Sequence, residues 1–160
     1  MSRQHHSIRD TRRALLAGIA ALALFPLTRP APASAILIQV WKDPNCGCCK
    51  DWIALLEKSG FATTVIDQGN NAARARLGMP QKFGSCHTAL VQGYVIEGHV
   101  PVADLQRLLK EKPRALGLSV PGMPIGSPGM DGPEYGGRRD PFQVLLIQRD
   151  GSTSVFNTYQ

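Results

Sequence analysis

Aromatic side chains are scarce. Five Phe, three Tyr and two Trp make up 6% of the 160 residues, so any base-stacking surface for nucleic acid would be small. Long apolar runs are missing too. The run from Ala14 to Phe25 holds 12 residues, short of the roughly 20 that span a bilayer. Basic charge is scarcer than the net of +6 suggests. Residues 1–35 hold five Arg against one Asp, which leaves 13 basic and 11 acidic side chains in the other 125. That balance removes the electrostatic case for DNA binding. What is present is a 43% apolar composition over a length that suits one domain with a packed core.

The first 35 residues read as an address. Arg3, Arg9, Arg12 and Arg13 precede the apolar run, Pro26 ends it, and Ala33-Ser34-Ala35 offers an A-x-A cleavage site. Cleavage after Ala35 is expected, with an uncleaved anchor as the alternative. Thr11-Arg12-Arg13-Ala14-Leu15-Leu16 also resembles a twin-arginine export motif. Either route leads to a bacterial exported protein, most simply periplasmic, with no membrane attachment once the signal is removed.

The remainder, residues 36–160, reads as a single domain. Ile36 to Trp41 is a continuous apolar and β-branched run, expected to be a buried strand. Asp43-Pro44-Asn45 makes a turn, Asp51 to Lys58 has a helical face, and Phe61 to Ile66 is a second strand. Asn70 to Leu77 suits a short helix, and Thr88 to Val91 and Tyr94 to Glu97 flank Gly93 as a hairpin. Asp104 is expected to cap a helix ending near Lys112. Gly117 to Gly137, with seven Gly and four Pro, reads as one long loop. Phe142 to Gln148 and Thr153 to Asn157 flank Asp150-Gly151 as a C-terminal hairpin. The order β-α-β-α-β-β-α, loop, β-β predicts an α/β sheet with helices on its faces.

All four cysteines lie in this domain. Cys46-Gly47-Cys48-Cys49 sits in the turn before the first helix, where helix N-terminal charge favours thiolate. Gly47 is expected to let the backbone turn tightly there. Cys46 and Cys49 have the C-x-x-C spacing of a redox pair, one attacking and one resolving. Three sulfurs in four residues exceed what such a pair needs and suit a soft metal. A third reading is two structural disulfides in an oxidising compartment. Cys86-His87 opens a strand, and His99 follows the first hairpin. Met123 and Met130 lie in the Gly/Pro loop, where no periodic apolar face explains them and thioether sulfur would suit Cu(I). Trp41 and Trp52 bracket the cluster and are expected to shield it, and Met79 is expected in the core.

The ordered set Cys46-Gly47-Cys48-Cys49 with Trp52, Gly60-Phe61, Cys86-His87-Thr88-Ala89, Gly93-Tyr94, Glu97-Gly98-His99-Val100-Pro101, Val120-Pro121-Gly122-Met123-Pro124 and Gly126-Ser127-Pro128-Gly129-Met130 resembles CopG-like proteins, long catalogued as a domain of unknown function. The resemblance implies a thioredoxin-like fold and a periplasmic role in copper resistance. It implies that Cys46, Cys48, Cys49 and Cys86 hold copper as thiolates, in a multinuclear cluster or singly. His87, His99, Met123 and Met130 match motif positions as further ligands. One departure stands out. Such proteins often carry a His three residues after the motif Trp, where this chain has Leu55. A thioredoxin-like sheet ends in one hairpin, and the helix that follows 88–97 favours that one over 142–157.

The leading expectation is therefore a periplasmic copper-tolerance protein that binds Cu(I), its partners being metal ions and other periplasmic copper-handling proteins. The alternatives are a thiol oxidoreductase or copper reductase using Cys46 and Cys49, and a structural domain with two disulfides.

Overall fold

The computed structural model describes residues 35–160. The export signal expected over residues 1–35 lies outside the described residues, save for Ala35. Seven strands and three α-helices follow one another: β1 (Ile36–Lys42), α1 (Gly47–Lys58), β2 (Phe61–Ile66), α2 (Asn71–Arg76), β3 (His87–Val91), β4 (Tyr94–Glu97), α3 (Val102–Glu111), β5 (Gly117–Ser119), β6 (Phe142–Ile147) and β7 (Thr153–Tyr159). Short 3-10 turns cover Gln81–Phe83 and Pro133–Tyr135. No helix among the described residues is long and apolar enough to cross a membrane.

One mixed sheet holds all seven strands in the order β2-β1-β3-β4-β5-β6-β7. The parallel pairs are β1/β2 and β4/β5, each joined by a helical crossover through α1 or α3. α1 buries Cys49, Trp52, Ile53 and Leu56, which is the i, i+3, i+4, i+7 spacing of a single helix face. α3 buries Leu105, Leu108 and Leu109 in the same core, against Ile38, Val40, Ala89, Ile96 and Leu118 of the sheet. The opposite face carries a smaller cluster in which Met79 and Phe83 pack on Val95, Leu116 and Ile147. Strand alternation divides the residues between the two faces.

Most of the predicted elements are present, and the differences have physical causes. The first helix starts at Gly47, so Cys48 and Cys49 are helical rather than in the turn. β1 is buried from Val40 to Lys42, but Leu37 near its start is 61% exposed. Asp104 lies inside α3, whose N-cap is Pro101, and instead accepts hydrogen bonds from Tyr159 Oη at 2.7 Å and Asn157 Nδ2 at 2.9 Å.

The stretch expected as one loop from Gly117 begins with a strand. Three residues are too few to show a period, and glycine lowers strand propensity. Yet β5 bridges β4 and β6 and ties the C-terminal hairpin to the sheet. Gly117 belongs there because a Cβ would collide with the Val95 backbone. The first hairpin pairs directly with β1, while the second joins only through β5.

Candidate metal centre

β1 delivers the chain to the site. Its last residue, Lys42, is 2% exposed, and its ammonium meets Asp67 Oδ1 at 2.5 Å and the Asp43 carbonyl at 3.0 Å. Asp43 then closes the turn. Its Oδ1 accepts the Asn45 N–H at 2.8 Å, and its carbonyl accepts the Cys46 N–H at 3.1 Å. Cys46 is the N-cap of α1, with Cys48 and Cys49 in the first turn. No side chain caps that turn and no acidic residue lies in it, so the free N–H groups and their partial positive charge are left beside the sulfurs.

Gly47 does not play the part expected of it. Its φ is not positive, and a Cβ there would meet nothing within 4 Å. Gly47→Ala is therefore expected to leave the thermal midpoint unchanged or slightly higher.

The fourth sulfur arrives from across the fold. Cys86 precedes β3, which pairs antiparallel with β1 so that Lys42 and His87 are partners. All four Sγ atoms then lie within 4.8 Å of one another. Cys46 and Cys49 are joined in a disulfide with Cα atoms 5.4 Å apart, and Cys48 and Cys86 are free thiols. The two disulfides of the structural reading are thus one. Cys48 Sγ lies 3.6 Å from Cys46 Sγ and 3.9 Å from Cys86 Sγ, and Cys86 Sγ is 3.5 Å from Cys49 Sγ. Burial, and then the neighbouring Cys48, push the Cys86 thiol up to about 12.

Two histidines stand behind Cys86. His99 Nδ1 donates to the Pro128 carbonyl at 2.8 Å, which fixes the tautomer and turns a bare Nε2 toward Cys86 Sγ at 3.0 Å. His87 Nδ1 is 3.4 Å from the same sulfur. The His87 ring lies 4.3 Å from the Trp52 ring, tilted by 35°, and meets the His99 ring edge-on at 5.0 Å. Burial lowers the pKa of both imidazoles, and for His87 the neighbouring His99 adds to the effect. The shift favours the neutral imidazole, the form that can act as a ligand. His87 Nε2 is buried with no hydrogen-bond partner, an orphan that a ligand would satisfy. Four sulfurs and two neutral imidazoles suit a soft cation.

The Gly/Pro segment covers this cluster. Gly129, at φ +82°, lies so close to α1 that a Cβ would sit 2.6 Å from the Cys48 carbonyl. Trp52 is fully buried below and donates from Nε1 to the Val100 carbonyl at 2.9 Å. Trp41 does not share this role. It pairs with Thr88 in β3, and the Arg76 guanidinium lies 5.4 Å from its ring. Met130 is buried and accepts a hydrogen bond from Tyr135 Oη at 3.3 Å, whereas Met123 is 53% exposed. Burial, followed by the charge of Cys48, raises the Tyr135 phenol. Gly129→Ala would force both a strained φ and a backbone clash. We expect a loss of about 1–3 kcal/mol in thermal unfolding.

A buried polar network, which the sequence did not suggest, fixes Cys86. Glu97 Oε1 receives Arg74 Nη2 at 2.8 Å and the Ser85 N–H at 2.7 Å, and Thr88 Oγ1 donates to Oε2 at 2.6 Å. Arg74 Nη2 and Asn70 Nδ2 both donate to the Ser85 carbonyl, at 2.5 and 3.1 Å. The residue before Cys86 is thus held by both its N–H and its C=O. Burial raises the Glu97 carboxyl, against the pull of Thr88, Arg74 and the Ser85 N–H. Arg74 lies among alanines in Asn71-Ala72-Ala73-Arg74-Ala75-Arg76, with no local signal to mark it. Glu97 at an inward strand position was the one cue available.

Residues 83–130 match the family described as "Protein of unknown function, DUF411". That span runs from just before Cys86 to Met130. No curated protein matches the chain. Among solved structures, one described as "Copper resistance protein copG- Form 2" is 46% identical with a TM-score of 0.73, and the match covers 79% of this chain and 99% of that one. The chain belongs to the CopG family. A second structure, "Copper resistance protein copG- Form 1", is also 46% identical with a TM-score of 0.72, over 78% of this chain and 98% of that one. The CopG chains are thus matched almost end to end.

Proposed function

We propose that this protein is an exported, periplasmic copper-binding protein of copper tolerance, holding Cu(I) through Cys46, Cys48, Cys49 and Cys86. The observation that carries the reading is the convergence of four sulfurs within 4.8 Å at a helix N-terminus. Its relatives' description as copper resistance proteins supports the choice of metal. Thiolate is a soft donor that suits monovalent copper, and thiolates can bridge several ions. His87, His99 and Met130 would complete the coordination. Met123 would join only through movement of its exposed side chain. The four strands β2-β1-β3-β4 with α1 and α3 would be the thioredoxin-like unit, and the later hairpin an extension of it.

Each residue has a part. The α1 N-terminus sets its uncapped N–H groups beside Cys48 and Cys49. Pro128 orients His99. The Gly/Pro segment packs against the first turn of α1, while Cys46, Cys48 and Cys86 stay partly exposed to incoming metal. Binding through all four cysteines requires the Cys46–Cys49 disulfide to be reduced by an external dithiol, which gives up two electrons and becomes a disulfide while the S–S bond here opens to two thiolates.

That disulfide favours a second reading, a thiol or copper oxidoreductase in which Cys46 attacks and Cys49 resolves. Metal analysis of mature protein from the periplasm of copper-grown cells, with thiol counting, tests both readings. The expected result is one or more copper per chain, with four thiols reactive only after denaturation and chelation. No copper and two reactive thiols per chain would overturn the copper reading and leave the redox one.

A further inference from the structure

The Met130 backbone is held at two points. Its N–H donates to the Ser127 carbonyl at 2.7 Å, and its carbonyl accepts the Gly126 N–H at 2.7 Å. Its side chain is different. A methionine has three rotatable torsions and adapts to its surroundings. Here one polar contact fixes the sulfur, the hydroxyl of Tyr135 at 3.3 Å. Tyr135 is itself set by a 3-10 turn, Pro133–Tyr135, closed by Gly136 at φ +61°. Tyr135 N–H donates to the Gly132 carbonyl at 3.1 Å, and Gly136 N–H to the Pro133 carbonyl at 3.1 Å.

A thioether sulfur carries two lone pairs. One that accepts an O–H still leaves the other for a soft cation. A donor on the first lone pair selects the rotamer and so aims the second. We propose that Tyr135 is a positioning residue of the metal centre, acting through Met130. Its hydroxyl holds the thioether sulfur in the orientation from which it completes the coordination begun by the cysteines. This rests on the reading of Met130 as a copper ligand. The rigid turn, rather than Met130's own packing, then decides where the fifth sulfur of the site points. The Pro133–Tyr135 turn is thereby joined to the metal centre.

Tyr135→Phe keeps the ring and removes only the hydroxyl. The reduced protein is loaded with Cu(I), and transfer of copper to bathocuproine disulfonate is timed for Tyr135→Phe, Met130→Leu and the double variant. We expect Tyr135→Phe to speed transfer by about threefold, in the range that one net hydrogen bond supports. Met130→Leu should be at least as fast, and the double variant no faster than Met130→Leu. Two measurements on metal-free protein accompany this. The Met130 methyl resonance should shift in Tyr135→Phe, and amide exchange over residues 126–137 should not change.

Met130→Leu at the parent rate would overturn the ligand reading itself, and the proposal with it. A fast Met130→Leu beside a parent-like Tyr135→Phe would overturn the proposal alone. So would a Tyr135→Phe effect that persists undiminished in the Met130→Leu background. Amide exchange that rises across the segment in step with copper release would mean that Tyr135 holds the loop rather than the sulfur, which also overturns it.

Discussion

Cys48→Ser is expected to lose copper retention by more than about 100-fold in competition with a Cu(I) chelator, beyond the effect of disturbing an outer-shell partner. The loss should come without loss of the Cys46–Cys49 disulfide. Cys48 is a free thiol whose sulfur lies 3.6 Å from Cys46 Sγ and 3.9 Å from Cys86 Sγ, so it is central to the cluster yet outside the bonded pair. Serine replaces a soft thiolate with a hard, neutral hydroxyl that a soft cation does not favour. The side chain is partly exposed, so the fold should tolerate the change. Two measurements on one variant separate the two readings of the site: chelator competition for the metal, and equilibration with a glutathione buffer for the disulfide. A variant that keeps copper as firmly as the parent would remove Cys48 from the ligand set. A variant that loses the disulfide as well would show that the two functions cannot be divided at this residue.

The second large effect is expected in the buried ion pair that holds the residue before Cys86. Arg74→Met should cost about 3–5 kcal/mol, because removing one partner of a buried ion pair leaves the other uncompensated. Glu97 is fully buried, and Arg74 is nearly so. The Ser85 carbonyl would also lose its 2.5 Å partner. For a domain of ordinary stability, about 5–15 kcal/mol in total, this is a large fraction. Denaturant unfolding of the metal-free protein measures it. Arg74→Met combined with Glu97→Gln should recover part of the loss, since the stranded charge is removed. If the double variant is no more stable than Arg74→Met, the pair does not act as the unit described. The same variants should weaken copper retention, because Ser85 sets the backbone from which Cys86 projects.

The sequence pattern revealed much of the fold because its strongest signals are local. The Ile36–Trp41 run, the apolar face around Trp52 to Leu56, and the turns at Gly93 and Asp150-Gly151 each belong to one short segment. Residues 92 and 93 both take positive φ, at 46° and 84°, as a tight hairpin turn requires. Helix boundaries were harder to read. α1 starts four residues before its first strongly apolar turn, because Cys48 and Cys49 carry no helix signal of their own. β5 was invisible because its three residues form a strand only through partners on both sides, 20 and more residues away.

The candidate site divides in the same way. The sequence by itself determined the chemistry: three cysteines in four residues, a Cys-His pair and methionines in a Gly/Pro segment specify soft donors wherever they fold. It could not determine how those donors meet. The antiparallel β1/β3 register sets Cys86 against the α1 N-terminus. The turn of the chain after β4 brings His99 into full burial beside Cys86. Only the tertiary structure decided that Met130 is buried under Tyr135 while Met123 is exposed, and that Trp52 rather than Trp41 shields the cluster. It alone chose Arg74 and Glu97 as the supports of Cys86. The reason is physical. Donor type is a property of a side chain, whereas burial, orientation and ion pairing are properties of the segments that pack around it, and here those segments lie up to about 80 residues away.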